Sequence, residues 1–258
     1  QSKFLERVSG HSAALTGLAF APDGSLLSGS ADRTLKLWKL PRLETAVSSD
    51  LRCHKGPVTC SARSYVYVAT GGDDGTVLLW HRPSPGGKDL SRAHAKLTIP
   101  LNTESSTTKI NGSMPVPILD LAWHYHKDTK NLETLCILCY DIVYKVTCKW
   151  DQIADGSVLQ ITDLPGFSSI NIAPSYATKL IPFPMDDDVL VIDSFWGLYS
   201  LIRKNKKIPF LRFPDCEKTT WPNLVSTDDV SPKFWFIDKW GNFFSTVCQI
   251  NDSGPSYS

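Results

Sequence analysis

The sequence lacks most of what would carry it into a membrane or onto a polyanion. No apolar run approaches the roughly 18 residues that span a bilayer. Lys and Arg number 27 against 26 Asp and Glu, a formal net charge of +1. A near-neutral chain offers no electrostatic case for a nucleic-acid or membrane-surface partner. Cysteine is present as seven scattered residues, an odd number without a framework. That argues against a disulfide-held secreted domain and for buried free thiols in the cytoplasm or nucleus. Gln1 to Gly10 shows no signal-peptide pattern, and a start on Gln rather than Met leads us to expect residues upstream. Asn111-Gly112-Ser113 and Asn251-Asp252-Ser253 fit the glycosylation triplet, a pattern frequent by chance. There is no Gly-rich phosphate loop, no nucleophile elbow and no pair of catalytic carboxylates. The expectation is therefore no enzyme, no cofactor, no metal and no small-molecule substrate. Long stretches of capped helical period are missing too.

What is present is short and β-like. A 42% hydrophobic content over 258 residues can build one large core, and residues 1–258 read as a single domain. Apolar segments rich in Val, Ile, Leu, Phe and Tyr are divided by turn residues, as in sandwiches, barrels or propellers. Leu15 to Phe20, Thr34 to Trp38, Val77 to Trp80, Thr134 to Cys139 and Val189 to Ile192 read as strands. Ala21-Pro22-Asp23-Gly24 has turn chemistry, with Pro setting φ and Gly permitting φ > 0. Asp74-Gly75 reads as a hairpin turn.

A repeat underlies the strands. Gly10-His11 opens one unit, which closes on Ser28-Gly29-Ser30-Ala31-Asp32-Arg33-Thr34-Leu35-Lys36-Leu37-Trp38. The next has His54 and then Thr70-Gly71-Gly72-Asp73-Asp74-Gly75-Thr76-Val77-Leu78-Leu79-Trp80. The spacing from Asp32 to Trp38 recurs from Asp74 to Trp80, and the two Trp stand 42 residues apart, one propeller blade.

Over Gly10 to Trp80 the chain resembles the WD-repeat (WD40) β-propeller family. The resemblance implies a hydrogen-bonded tetrad in each repeat, joining a His, a Ser or Thr, a turn Asp and a Trp. The Trp indole N–H meets a buried hydroxyl, which the His bridges to the Asp, so each buried polar group has a partner. The first blade would use His11, Ser30 (or Ser28), Asp32 and Trp38. The second would use His54, Thr70, Asp74 and Trp80. Lys39 and His81 replace the Asp that usually follows each Trp.

The likeness fades beyond Trp80. Asp193-Ser194-Phe195-Trp196-Gly197-Leu198-Tyr199-Ser200 is similar to Asp238-Lys239-Trp240-Gly241-Asn242-Phe243-Phe244-Ser245, and the two Trp lie 44 residues apart. Aligning Gly197 and Gly241 with Gly75 puts Trp196 and Trp240 in place of the turn Asp, and Ile202 and Thr246 in place of the tetrad Trp. Apolar packing must then replace the tetrad. The expected fold is all-β: a propeller of four-stranded antiparallel blades, about five visible and up to seven if pieces are missing. The blades would run from His11 to about Asp50, Arg52 to Pro100, Pro117 to Leu164, Tyr176 to Pro214, and from Trp221 onward. Residues 82–113 read as a long polar loop, and Lys3 to Val8 as a candidate outer strand of the last blade.

Other constellations have plainer readings. Cys136-Ile137-Leu138-Cys139 has half of a zinc spacing but lies within a strand, where residues three apart face opposite ways. His124-Tyr125-His126 lacks a third ligand type and reads as a strand end. Asp186-Asp187-Asp188 lacks the alternating spacing of a calcium loop. Arg203, Lys204, Lys206 and Lys207 form the most basic run, at a hairpin tip. Phe195, Trp196, Lys239 and Trp240 are the candidate partner-binding patch, since aromatic anchors supply much of the energy of interfaces. The same rings could instead fold inward and replace lost tetrads.

Three functions compete. The resemblance and the missing active site favour a non-catalytic scaffold subunit of a multiprotein complex, with other protein subunits as partners. A peptide or substrate receptor, such as that of a ubiquitin ligase, would need a pocket at the channel mouth. A nucleic-acid-associated subunit of an RNA-modifying or chromatin complex would need a basic stripe, which the overall charge does not favour.

Overall fold

The computed structural model describes residues 9–20, 26–39, 44–47, 54–64, 66–81, 93–99, 115–125, 132–173, 176–182, 189–193, 198–212, 233–237, 243–251 and 254–257. These fold as strands, with two short 3₁₀ turns. The fold is all-β, built from sheets in the manner of a propeller.

The first blade is β1 (Leu15–Phe20), β2 (Leu26–Ser30), β3 (Leu35–Lys39) and β4 (Glu44–Val47), paired in that order and antiparallel. The second has β5 (Val58–Arg63), β6 (Tyr67–Gly72), β7 (Thr76–His81) and β8 (Ala95–Thr98). The third begins with β9 (Asp120–Tyr125), β10 (Glu133–Cys139) and β11 (Ile142–Cys148). The chain then leaves this blade. β12 (Ser157–Gln160) pairs in parallel with β8, Ser157 opposite Ala95, and makes a fifth strand on the edge of the second sheet. The 3₁₀ turns Trp150–Gln152 and Ile161–Asp163 flank this excursion. β13 (Phe167–Asn171) returns to the outer edge of β11. The fourth blade is β14 (Ala177–Pro182), β15 (Val189–Asp193), β16 (Leu198–Arg203) and β17 (Lys206–Arg212). A fifth sheet holds β18 (Lys233–Ile237), β19 (Phe243–Asn251) and β20 (Gly254–Tyr257).

The first strands of successive blades lie side by side: β1 against β5, β5 against β9, β9 against β14. The core therefore sits between blades. Leu27, Leu35, Val58, Val68, Leu78 and Trp80 fill the space between the first two. Leu79, Leu97, Leu121, Trp123, Ile137 and Trp150 belong to the cluster joining the second and third. Cys136, Leu138, Val143, Leu180, Val191 and Ile202 join the third and fourth. Sandwiched on both sides, β10 is buried at every position. Its two cysteines enter different clusters, Cys139 toward the second blade and Cys136 toward the fourth, as a spacing of three on a strand requires. Two glycines permit the close approach of neighbouring blades: a Cβ on Gly29 would press on Val58, and one on Gly71 on Ile118 and Cys60.

Two sequence boundaries need correction. Residues 82–113 are not one loop, since Ala95–Thr98 is the fourth strand of the second blade. Apolar Ala95 and Leu97, both fully buried, alternate with polar Lys96 and Thr98 there, a strand signal inside a polar segment. The third blade does not end at Leu164, because its outer strand is β13. Lys3 to Val8 lies outside the described residues.

Candidate functional site

Both N-terminal blades are braced from within by a relay of hydrogen bonds. In the second, Trp80 donates its indole N–H to Thr70 Oγ1 at 3.0 Å. His54 Nε2 meets the same hydroxyl at 3.0 Å, and His54 Nδ1 meets Asp74 Oδ1 at 3.2 Å. An ionised carboxylate only accepts, so Nδ1 carries the proton and Nε2 accepts from the Thr70 hydroxyl. Asp74 also takes the Thr76 hydroxyl at 2.7 Å and the Lys55 backbone N–H at 2.6 Å. Burial alone would raise the pKa of Asp74, but the hydrogen bonds from His54, Thr76 and Lys55 hold it well below the usual carboxylate range.

The first blade repeats the pattern with one correction. Trp38 donates to Ser28 Oγ at 2.8 Å, and His11 Nε2 meets that oxygen at 2.7 Å. The tetrad hydroxyl is thus Ser28 and not Ser30. Ser28 and Ser30 share one face of β2, so alternation cannot separate them. Register does: Leu26 pairs with Trp38 as Val68 pairs with Trp80, which aligns Ser28 with Thr70. Ser30 instead donates to the Ala14 carbonyl at 2.9 Å and accepts the Asp32 N–H at 3.2 Å. His11 Nδ1 donates to Asp32 Oδ2 at 2.9 Å. Asp32 is depressed as well: burial pushes it up, and the Thr34 hydroxyl, Ser12 N–H and His11 outweigh that. Thr34 and Thr76 are partners that sequence reasoning missed, although both stand two residues after the turn Asp.

The fourth blade shows what replaces a tetrad. Val189 pairs with Ile202 and Val191 with Ser200. That register puts Val191 in the place of Thr70 and Ile202 in the place of Trp80, both buried. Between the third and fourth blades one polar tie is Asp120, buried on β9, whose Oδ2 accepts the Leu180 N–H at 2.7 Å. Lys179 Nζ reaches its Oδ1 at 3.3 Å. Burial pushes the Asp120 carboxyl up despite Lys179.

The other candidates fall as follows. Phe195, Trp196, Lys239 and Trp240 lie outside the described residues, as do His126 and Asp186-Asp187-Asp188. Arg203, Lys204, Lys206 and Lys207 do form a hairpin tip, joining β16 to β17 through Lys204 and Asn205 at φ of 47° and 60°. Lys207 is tethered, its Nζ donating to the Ile172 carbonyl at 2.7 Å. Among the described residues, Cys60, Cys136, Cys139 and Cys148 are buried thiols outside any disulfide. Sequence reasoning missed one cluster of metal-ligating side chains. His81, His94 and Asp155 converge at the edge of the second sheet, their ligand atoms all within 4.8 Å of one another.

The repeat geometry matches known proteins where the tetrads are. The WD domain, G-beta repeat profile fits residues 2–39 and 45–81. These two segments are WD40 repeats. Beyond residue 81 the described residues continue the run of sheets. A curated relative, Mitochondrial division protein 1 of Schizosaccharomyces pombe, is 25% identical over 214 residues, covering 80% of this chain and 27% of its own length. The chain thus spans about a quarter of that relative. Among solved structures, a chain of a mitotic checkpoint complex crystal structure superposes over 97% of this chain and 67% of its own, with a TM-score of 0.61 at 8% identity. U3-55K superposes over 78% of this chain and 53% of its own, with a TM-score of 0.51 at 12% identity. These likenesses bear on fold alone. No helix among the described residues is long and apolar enough to cross a membrane.

Proposed function

We propose that this chain is a non-catalytic protein-interaction scaffold, the WD-repeat part of a larger multiprotein complex. WD40 repeats generally mediate protein–protein contacts. The observation that carries the reading is the closure of both tetrads. His11, His54, Asp32 and Asp74, which sequence alone could mistake for acid–base groups, are committed to holding turns in place. Turns held in this way present a rigid platform, and a preorganised surface loses less entropy on binding. Exposed Arg33, Lys55 and Asp73 flank the tetrad aspartates on that platform. The aromatic patch of Phe195, Trp196, Lys239 and Trp240 belongs to the same proposal.

The test is purification of the tagged full-length protein from its own cells, with mass spectrometry of what accompanies it. It is run beside a Trp196→Ala, Trp240→Ala double variant and a Lys204→Glu, Lys206→Glu double variant. A stoichiometric set of proteins that the folded aromatic variant loses supports the scaffold and its contact. Loss in the lysine variant alone moves the contact to the hairpin tip. A wild-type protein that emerges alone overturns the scaffold reading.

A further inference from the structure

Three side chains from three strand ends meet at the outer edge of the second blade. His81 ends β7, His94 immediately precedes β8, and Asp155 lies in the turn that leads into β12. That turn is fastened to the sheet, because the Gly156 N–H donates to the His94 carbonyl at 2.6 Å. The His94 N–H in turn donates to the Leu79 carbonyl at 2.8 Å. The groups are thus placed by the backbone of three neighbouring strands.

Their nitrogens point at a single oxygen. His81 Nε2 is 3.0 Å from Asp155 Oδ1, and His94 Nδ1 is 2.5 Å from it. The two imidazoles lie with centroids 4.3 Å apart at 59°. Proton placement sharpens the picture. His94 Nε2 contacts the Trp150 carbonyl at 3.2 Å, and a carbonyl can only accept, so Nε2 carries the hydrogen. In the neutral ring Nδ1 then has a bare lone pair, aimed at a carboxylate that also offers only lone pairs. Such a pair is held either by a hydrogen on Nδ1, which makes the ring itself a cation, or by a metal ion between the two acceptors. A proton would serve one such pair, but His81 brings a second nitrogen to the same point. An imidazole whose other N–H is fixed by a backbone carbonyl is the usual setting of a metal-bound histidine.

We propose that His81, His94 and Asp155 bind a divalent transition-metal ion of the zinc class, which clamps the β12 strap to the edge of the second blade. Two imidazoles and a carboxylate suit such an ion and not Ca²⁺ or Mg²⁺, which take oxygen ligands. With zinc–ligand bonds of about 2.0–2.2 Å, tetrahedral neighbours stand about 3.3 Å apart. The His81 distance is close to that, and the His94 distance reaches it by a small outward shift of Asp155. The Asp155 side chain is 53% exposed and sits in a turn. His94 is buried at 3% and His81 exposed at 34%, so one side is fixed and the other open to an entering ion and a fourth ligand. The rings are held in orientation by Tyr67, stacked on His94 at 5.1 Å and 27° and lying 5.3 Å from His81. His81, where the repeat family usually has Asp, thereby gains a role.

The test is calorimetric titration of ZnCl₂ into the whole chain after chelator treatment, with MgCl₂ as control and thermal melting in parallel. The wild type is expected to bind one zinc ion at this site and to melt higher with zinc than without. His81→Gln and Asp155→Asn, both at partly exposed positions, are each expected to keep the fold and to weaken zinc binding at least about tenfold. Long-range ¹H–¹⁵N spectra should show His94 bound through Nδ1 and His81 through Nε2. Zinc binding unchanged in both variants, no binding beyond that of magnesium, or a His94 ring protonated at both nitrogens in saturating zinc would each overturn the proposal.

Discussion

Trp80 and His54 meet on one oxygen, the Thr70 hydroxyl, each at 3.0 Å. The hydroxyl accepts from the indole and donates to the imidazole, which no apolar isostere can do. Thr70→Val keeps shape and volume yet leaves two buried groups without partners. It is expected to cost about 1–3 kcal/mol, while Thr70→Ser retains most of the stability. Urea melts of the two variants check this, and equal midpoints would remove the tetrad from the energetics of the blade.

Acid should loosen the first two blades. Asp32 and Asp74 are held below the usual carboxylate range in the fold and titrate near about 3.9 when unfolded. A depressed carboxylate contributes stability that is complete above its unfolded pKa and is lost as pH falls toward the folded one. The melting temperature should therefore decline on acidification below about pH 5. Asp74→Asn should melt lower at neutral pH and fall less steeply in acid, so that the two curves converge. Parallel curves would show that Asp74 is not the group being titrated.

The turns after the tetrad aspartates differ in one residue. Arg33 and Gly75 both have φ of 69°, a left-handed conformation natural to Gly and strained for Arg. Arg33→Gly is expected to stabilise by up to about 1 kcal/mol. Gly75→Ala should destabilise, since its Cβ would also press on Pro115. Chemical denaturation of both variants gives the signs.

The buried thiols should be silent in the native state. Burial pushes Cys60 up to about 12, and Cys139 and Cys148 rise for the same first reason. Thiol reagents should modify these three only as the protein unfolds. Rapid labelling of Cys139 under native conditions would contradict its place in the core.

The first two blades were legible because their chemistry is polar and periodic. A buried indole needs an acceptor, a hydroxyl needs a bridge, and the spacing from Asp32 to Trp38 recurs from Asp74 to Trp80. The fourth blade hid its architecture because Val191 and Ile202 do the same packing with no polar signature. The choice between Ser28 and Ser30 depended on register with β3, which the sequence of β2 alone does not contain. β8 was missed because four residues, Ala95–Thr98, sit within a polar stretch. The convergence of His81, His94 and Asp155 was invisible for another reason. Asp155 reaches the other two only because the chain leaves the third blade to pair with β8.

That excursion also sets the order in which the molecule can be completed during synthesis. The second blade does not own its last strand: a ribosome that has just released residue 99 leaves the edge of β8 bare, and nothing covers it until residues 157–160 emerge. A fragment cut between the second and third blades would therefore expose an unpaired edge, ready to pair with another copy. The two blades are in effect stitched, and they are expected to unfold as one piece.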